Sequence, residues 1–226
     1  MTAIILAGGF GTRLKSVISN LPKPMAPINK KPFLEYLFDY LLSYGVKKVI
    51  LCVGYKHEII IKHFQKKYKN LELVYSIENK PLGTGGAIKQ ALKIHNNIPD
   101  KNILILNGDT FYQLNIAKFY QHSLLNELTI AIKPMKNFTR YGSVEINGSK
   151  ITSFKEKESI QEGLINTGVY IINPKLIIKM KKNKFSFESF LEAQTAIDYY
   201  IEDSYFVDIG IPEDYRQAQI DFKEFF

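Results

Sequence analysis

The sequence predicts an α/β fold with a mixed, mainly parallel sheet flanked by helices. Over the first 135 residues, short runs rich in Ile, Leu and Val alternate with amphipathic segments. This alternation is typical of a parallel sheet covered on both faces. After that point the strand patterns are separated by turns, which predicts a small β-rich insertion. The 226 residues are enough for one domain with a substantial core.

The predicted elements of the first half follow from hydrophobic periodicity. Strands are expected at 3–7, 48–53, 71–75, 103–107 and 128–133, where aliphatic residues run together. Helices are expected at 32–44, 57–67, 84–93 and 114–125, where apolar residues recur every three to four positions.

The second half predicts a different local organisation. Asn147-Gly148 favours a type I′ turn, which predicts a hairpin between 142–146 and 150–154. Further elements are strands at 166–172 and 205–207, a short helix between Ser186 and Glu192, and a closing helix, 212–222, that begins at Pro212. No linker or repeat divides the chain, so we expect one domain over 1–226.

The charge balance argues against some partner classes. The chain carries 30 Lys and Arg against 22 Asp and Glu, a net charge of +8. Because the lysines are spread along the chain, we expect no nucleic-acid partner, only steering of anionic small substrates. No apolar run approaches the roughly 20 residues of a membrane span, and the first residues lack a secretory pattern. We therefore expect a cytoplasmic protein without a membrane partner; the aromatic tail of Phe222, Phe225 and Phe226 leaves a homo-oligomer open.

A glycine-rich loop follows the first predicted strand and predicts an anion site. Glycines there let backbone N–H groups approach a phosphate closely, and Arg13 and Lys23 supply fixed positive charge. The loop departs from both common phosphate patterns, since it lacks G-x-x-x-x-G-K-[ST] and has Leu14 where the dinucleotide fingerprint requires its third glycine. A plain glycine turn with two surface cations is the alternative interpretation.

Two aspartates end predicted strands and predict a metal site. Asp109 follows the apolar run 103–107, and Asp208 follows the predicted strand 205–207. Ligands bind outside the carboxyl ends of strands in open α/β sheets, and two carboxylates suffice for Mg²⁺, which keeps waters and phosphates as its other ligands. The alternative is that either aspartate caps a turn.

Seven motifs in order resemble the sugar-1-phosphate nucleotidyltransferases, the NDP-sugar pyrophosphorylases, over nearly the whole chain. They are LAGGFGTR with LPKP (6–13 and 21–24), PLGTGG (81–86), NGD (107–109), YGSVE (141–145), FKEK (154–157), NTGVY (166–170) and VDIGIPEDY (207–215). The resemblance implies a Rossmann-like, nucleotide-diphospho-sugar transferase fold. It also implies that 1–135 mainly binds nucleotide and 136–226 mainly binds the sugar phosphate.

The resemblance implies a role for each matching residue. Arg13, Lys23 and Asp109 are expected to be catalytic, and Asp109 and Asp208 to hold Mg²⁺. The expected nucleotide-binding residues are Leu6, Ala7, Gly8, Gly9, Gly11, Thr12, Arg13, Lys23, Glu78, Pro81, Gly83 and Thr84. The expected sugar-phosphate residues are Gly142, Glu156, Lys157, Asn166 and Thr167, although composition alone favours a solvated charge run at 155–158.

Glu78 favours GTP as the nucleotide. Thymidylyl and uridylyl relatives tend to carry Gln here. An ionised carboxylate only accepts hydrogen bonds, which suits the adjacent donors of guanine better than uracil or thymine. A Glu that caps a turn is the alternative. The short chain favours a guanylyltransferase without the C-terminal β-helical domain of the mannose-1-phosphate enzymes, and the resemblance implies D-glycero-α-D-manno-heptose 1-phosphate as the sugar, for surface polysaccharides.

Other activities stay open at this point. Within the family, the chain could act on mannose 1-phosphate or carry out uridylyl or thymidylyl transfer. Outside it, a metal-dependent glycosyltransferase uses a similar fold, but it usually shows Asp-x-Asp, whereas Asp109 is followed by Thr110 and Phe111. A non-catalytic nucleotide-sugar sensor would not need Arg13, Lys23 and both aspartates together.

Overall fold

The computed structural model of the chain describes residues 1–14, 17–18, 20–95, 100–155 and 158–225. The strands are β1 (Thr2–Ala7), β2 (Pro27–Ile28), β3 (Lys31–Pro32), β4 (Lys48–Val53), β5 (Lys67–Tyr68), β6 (Leu71–Ile77), β7 (Ile103–Asn107), β8 (Thr110–Tyr112), β9 (Leu128–Phe138), β10 (Ser143–Asn147), β11 (Lys150–Lys155), β12 (Ile160–Ile172), β13 (Ile197–Ile201) and β14 (Phe206–Asp208). The α-helices are α1 (Phe33–Ser43), α2 (His57–Phe64), α3 (Gly83–Ile94), α4 (Ile116–His122), α5 (Pro174–Ile178), α6 (Phe187–Glu192) and α7 (Pro212–Phe225).

One large sheet organises these elements. Its strand order is β10-β11-β13-β9-β12-β7-β1-β4-β6-β5. The strands β7, β1, β4 and β6 are parallel neighbours. Strand β12 runs antiparallel to both β7 and β9 and separates them. The predicted α/β fold with a mixed sheet is thus confirmed, and a further parallel pair, β13 with β9, lies on the other side of β12.

Each face of the sheet is covered by its own apolar cluster. In β1, Ala3 and Ile5 belong to one cluster and Ile4 belongs to the other, all with no exposed surface. Helices α1 and α7 pack on the first face, and α3 and α6 pack on the second. Because successive strand residues point to opposite faces, an uninterrupted aliphatic run is what a strand covered on both sides requires.

The first-half elements match their predicted places with shifts at the ends, the largest in β9, which continues beyond the predicted 133 to Phe138. Helix α1 buries Phe33, Tyr36 and Leu37 as its periodicity predicts. Helix α2 ends three residues before the predicted 67, because Gln65 takes a positive φ of 53° and the chain turns into the short strand β5.

The second half holds the larger differences. The 143–155 hairpin forms, but its two loop residues are Gly148 and Ser149, with Asn147 paired to Lys150. The φ angle of Gly148 is 57°, whereas the φ angle of Asn147 is not positive. The predicted type I′ turn with Asn147 and Gly148 at its centre is therefore wrong. A glycine at the first central position is the pattern of a type II′ turn. The hairpin continues the edge of the large sheet through β11 and β13, and β13 and α5 were missed.

A separate two-stranded ribbon lies at the end of the parallel strands. Strand β8 pairs antiparallel with β14, and Thr110 is the partner of Asp208. Within the described ranges, no helix has both the length and the apolar character needed to cross a membrane.

Candidate active site

A cleft opens where β1 passes into the glycine loop. Its volume is about 160 Å³. It is lined by Leu6, Ala7, Gly9, Gly11, Thr12, Arg13, Lys23, Pro24, Asp109 and Gly210. The sequence-predicted phosphate loop, both predicted catalytic cations and the first predicted metal ligand therefore meet in one place.

Backbone geometry explains the glycines of this loop. Gly11 has a φ of 57°, and a Cβ there would lie 3.1 Å from Lys23 Cβ. A Cβ at Gly8 would lie 2.8 Å from Glu78 Oε1 and 3.3 Å from the backbone nitrogen of Gly54. Gly9 has open space around it. The first two positions thus require glycine for close packing or backbone conformation, and Gly9 leaves the loop accessible to a ligand.

Lys23 joins the two predicted metal ligands. Its Nζ donates to Asp109 Oδ2 at 2.5 Å and to Asp208 Oδ1 at 3.1 Å. The lysine is only 8% exposed, while the side chains of Asp109 and Asp208 are 34% and 26% exposed. Lys23 lies in a short 3-10 turn, Lys23–Met25, that follows Pro22. The Lys23 ammonium and the carboxylates of Asp109 and Asp208 are therefore in direct contact at the wall of the cleft.

The ribbon of β8 and β14 brings the two aspartates together. Asp109 immediately precedes β8, Asp208 ends β14, and Ile209 N–H donates to the Asp109 carbonyl at 3.0 Å. The sequence analysis placed both carboxylates at strand ends. The structure adds that antiparallel pairing of two very short strands, and not a shared parallel edge, sets their separation.

Gly210 was missed by the sequence analysis. A Cβ at this position would lie 2.8 Å from Asp208 Oδ1 and 2.9 Å from Lys23 Nζ. Because Gly210 has no side chain, it leaves room for the ion pair between Lys23 and Asp208. The signal was present in Asp208-Ile209-Gly210, where a glycine follows a candidate ligand by two residues.

The carboxylate pair fits a divalent cation. Both aspartates already converge on one positive charge, the Lys23 ammonium, and both keep exposed oxygen atoms. No group of three or more His, Cys, Asp or Glu side chains that could enclose a metal occurs among the described residues. Two carboxylates without a third protein ligand suit a hard cation that takes its remaining oxygens from phosphates and water.

Arg13 differs from Lys23 in having no ion-pair partner among the residues that the structure describes. Its side chain is exposed, and no carboxylate pairs with it in the described ranges. An exposed guanidinium beside a glycine loop is a ready donor to phosphate oxygens, because its planar fork matches their geometry.

Glu78 lies next to the phosphate loop, as its predicted role requires. It follows β6, and its Oε2 accepts from Leu82 N–H at 3.1 Å. Burial raises the pKa of Glu78 above its usual value, against the lowering effect of the Leu82 hydrogen bond. The bond closes the turn that leads into α3, which agrees with the turn-capping alternative, and recognition of the base by Glu78 stays a prediction.

The second loop, 81–86, is packed more closely than the sequence indicated. A Cβ at Gly83 would lie 2.5 Å from Phe185 O, and one at Gly85 would lie 2.3 Å from the Phe185 ring. The Thr84 hydroxyl accepts from Phe187 N–H at 2.7 Å and donates to Glu188 at 3.1 Å. These side-chain contacts go to the 185–188 segment, so base and ribose contacts by Gly83 and Thr84 stay a prediction. Pro81 is exposed at the entrance of this loop.

A second and larger cleft, about 380 Å³, contains part of the predicted sugar site. It is lined by Gly142, Ser143, Phe154, Lys155, Asn166, Glu188, Leu191 and Glu192. Gly142 and Asn166 are joined by a backbone hydrogen bond of 3.0 Å between Asn166 N–H and Gly142 O. Two predicted residues therefore meet here, and the α6 residues are ones that the sequence analysis missed.

The structure corrects the expectation for the Thr167 side chain. Thr167 is 2% exposed, and its hydroxyl donates to Ala131 O at 2.6 Å. Its side chain thus faces the interior of the sheet and does not face a sugar phosphate. Glu156 and Lys157 lie outside the described residues; their neighbour Lys155 lines the cleft and pairs with Glu145 at 2.6 Å.

The two clefts are joined through neighbouring strands. Asn107, at the end of β7, pairs with Leu6 of β1. On its other side, a Cβ at Gly168 would lie only 2.3 Å from Asn107 Nδ2. The bulge between Asn166 and Val169 of β12 therefore lies against the strand that leads to Asp109. Strand β7 therefore contacts both the strand that leads into the phosphate loop and the bulge that follows Asn166.

Comparisons with known proteins identify the family of the chain. The chain is 50% identical over 226 residues to the D-glycero-alpha-D-manno-heptose 1-phosphate guanylyltransferase of Aneurinibacillus thermoaerophilus, with 97% of each chain covered. It is 46% identical over 220 residues to the enzyme of that name from Campylobacter jejuni, with 95% of this chain and 97% of the other covered. The crystal structure of HddC from Yersinia pseudotuberculosis complexed with GMP-PN superposes with a TM-score of 0.89 at 43% identity, over 98% of this chain and 99% of that one. The nucleotidyl transferase family model matches residues 2–224, and the chain belongs to this family.

Proposed function

We propose that the protein joins GTP and D-glycero-α-D-manno-heptose 1-phosphate to give GDP-heptose and pyrophosphate. The observation that carries this proposal is the convergence of Lys23, Asp109 and Asp208 at the glycine loop. Relatives at 50% and 46% identity over nearly the full chain carry a heptose 1-phosphate guanylyltransferase name, which favours this donor and this acceptor within the family.

The reaction requires stabilisation of the negative charge on the phosphates more than it requires proton transfer. The attacking group is a sugar phosphate oxygen that is already ionised at neutral pH, so no general base is needed. The site must instead bring two anionic substrates together and stabilise the charge that develops at the α-phosphorus. The loop N–H groups and Arg13 bind the triphosphate, and Lys23 donates to the reacting phosphate.

Asp109 and Asp208 hold the divalent cation, which we propose to be Mg²⁺. When bound, this ion neutralises phosphate charge and fixes the orientation of the oxygens. Because Lys23 bonds both carboxylates in the structure, the lysine must exchange at least one of these bonds to reach a phosphate. The neighbouring carboxylates hold its ammonium close to the reacting centre.

Glu78 is the residue that we propose to recognise guanine. Its carboxylate lies against Gly8 at the start of the loop, and the guanine N1–H and N2–H₂ groups are adjacent donors that suit an acceptor-only side chain. The GMP-PN complex of HddC, which is 43% identical, supports a guanine nucleotide as the substrate.

The sugar phosphate is assigned to the second cleft, between Gly142 and Asn166 on one side and α6 on the other. Mannose 1-phosphate is the second candidate substrate, because it shares the ring stereochemistry of a manno-heptose. Since GTP is supplied in the cytoplasm, we place the reaction there, where its product would feed surface polysaccharide synthesis.

Pyrophosphate release tests the proposal directly. The purified protein is incubated with Mg²⁺ and each combination of GTP, UTP or dTTP with heptose 1-phosphate or mannose 1-phosphate. We expect the highest kcat/KM for GTP with the heptose phosphate, and no turnover after chelation of the metal. Turnover of UTP or dTTP at the rate of GTP would contradict the base assignment, and no pyrophosphate in any combination would contradict the transferase activity.

A further inference from the structure

We infer that Glu192, with Glu188 beside it, determines sugar specificity by accepting hydrogen bonds from the side-chain hydroxyls of the sugar phosphate. This inference rests on the proposed function and deepens it. Both glutamates are exposed residues of α6 that line the second cleft. They are four residues apart, so their side chains lie on the same face of the helix.

The cleft has two chemically different sides. The strand side presents Gly142, Ser143 and Asn166, and the helix side presents two carboxylates. A phosphate dianion is repelled by the glutamates, whereas on the strand side the NH₂ group of Asn166, whose Oδ1 accepts from Gly168 N–H, is a donor for phosphate oxygens. The substrate is thereby oriented with its phosphate toward the strands and its neutral hydroxyl groups toward α6.

The surface between these sides suits a sugar ring. Leu191 is fully buried beneath the cleft and Phe154 is half-buried at its wall. Sites for small polar ligands typically combine such apolar walls with a few placed polar groups. Here the placed polar groups on the helix side are only acceptors when ionised, which matches hydroxyl donors.

The two glutamates differ in their internal contacts. Glu188 Oε2 accepts from the Thr84 hydroxyl at 3.1 Å, so this carboxylate also joins α6 to the second loop. Glu192 makes no hydrogen bond or ion pair within the described part of the chain. Glu192 is therefore free to bind a ligand, and its substitution does not remove a contact that holds the fold.

The heptose side chain supplies a matching pair of donors. D-glycero-α-D-manno-heptose carries vicinal hydroxyls at C6 and C7, whereas mannose has a single exocyclic hydroxyl. One carboxylate can accept from both members of a vicinal pair. Glu192 thus favours the heptose over the mannose phosphate, and the difference arises in binding away from the reacting phosphorus.

The test compares two sugar phosphates at saturating GTP and Mg²⁺. For Glu192→Ala we expect the ratio of kcat/KM for heptose 1-phosphate to that for mannose 1-phosphate to fall about 10- to 100-fold, the range expected for hydrogen bonds to a charged group. The change should appear mainly in KM for the heptose phosphate. Glu192→Gln keeps one acceptor oxygen and should fall between wild type and Glu192→Ala.

Glu127→Ala is the matched control. Glu127 is an exposed glutamate outside both clefts, and its substitution should leave the ratio within twofold of the wild type. An unchanged ratio in both Glu192 variants, or an equal loss on both sugars, would overturn the role of Glu192. A wild-type protein that releases no pyrophosphate from either sugar phosphate would instead overturn the proposed function.

Discussion

At the scale of single residues, Lys23 carries the most concentrated electrostatic role. It is nearly buried and bonds two carboxylates at once. The sequence predicts a loop position for Lys23 beside the phosphates, where its removal would lower the rate much more than the stability of the fold. Because its ammonium also separates two aspartates, its removal leaves two like charges close together, which raises the energy of the folded site.

Lys23→Ala should therefore lower kcat by about 10²- to 10³-fold, the loss typical of removing a group that stabilises transition-state charge. Pyrophosphate release under saturating substrates measures this. Lys31→Ala is the control, since Lys31 also forms an ion pair, at 2.6 Å with Asp39, outside both clefts. A loss of only about twofold for Lys23→Ala would contradict its assigned role.

Glu78→Gln tests the base assignment. The amide replaces one acceptor oxygen with a donor, so the preference for GTP over UTP in kcat/KM should fall about 10- to 100-fold, as for loss of a bidentate contact to a base. Competition kinetics with both nucleotides measure the preference. A preference that stays at the wild-type value would contradict guanine recognition by Glu78.

The pH dependence of GTP binding should follow from the same residue. Because burial raises the pKa of Glu78 above its usual value of 4.5, the carboxyl is protonated at pH values where an ordinary glutamate is ionised. KM for GTP should rise as the pH falls through this raised pKa and recover above it. In Glu78→Gln this part of the profile should be flat; if it persists in the variant, another group causes it.

At the scale of elements, the glycine-rich start of α3 acts as a packing surface. Phe185 lies against Gly83 and Gly85. From within the helix, the buried Lys89 ammonium donates to Met180 O at 2.5 Å and to Lys182 O at 2.9 Å. The 180–186 segment is thus held against α3 by both contacts. Glu78 accepts a hydrogen bond from Leu82 just before α3. The packing of α3 therefore also fixes the turn that positions Glu78, the residue proposed to recognise the base.

Gly85→Ala should lower the free energy of unfolding by about 1–2 kcal/mol. The added methyl would lie 2.3 Å from the Phe185 ring, and an overpacking cost of about 1–3 kcal/mol exceeds the gain of up to about 1 kcal/mol in helix propensity. Urea unfolding measures the difference. Gly9→Ala, where a Cβ meets no atom within 4 Å, is the control, and equal stability of the two variants would contradict the packing argument.

At the scale of the whole molecule, the C-terminal helix completes the core. Phe222 is 1% exposed and its ring packs edge-on against Tyr36 and Phe111, with centroids 4.8 and 5.3 Å away. Phe225 is 46% exposed beside Tyr205, and Phe226 lies outside the described residues. The sequence left open whether this tail packs on its own core or on a partner, and Phe222 packs on its own core.

Phe222→Ala should lower the free energy of unfolding by about 3–5 kcal/mol, the range for truncation of a fully buried phenylalanine. Phe225→Ala is the matched control in the same helix and should cost less than about 1 kcal/mol, because nearly half of its surface is already in water. Both values come from denaturant unfolding. Similar losses in the two variants would show that the helix end is not anchored through Phe222.

The sequence by itself determined the elements that have strong local signals. The aliphatic runs of β1, β4 and β7 and the apolar face of α1 are visible in the chain because burial on both faces, or on one, leaves a periodic pattern. The glycine loop, Arg13, Lys23 and both aspartates were found because phosphate and metal chemistry demands particular residue types at strand ends.

Only the tertiary structure decided how these residues meet. Lys23 and Asp208 are 185 positions apart in the chain, and their contact depends on the β8–β14 pairing, which no local pattern encodes. The orientation of β12 determines that Thr167 is buried, and the orientation of α6 determines that Glu188 and Glu192 line the second cleft. Packing against the rest of the fold sets both orientations. The sequence therefore specified the chemical groups of the site, and the long-range pairing of strands specified their arrangement.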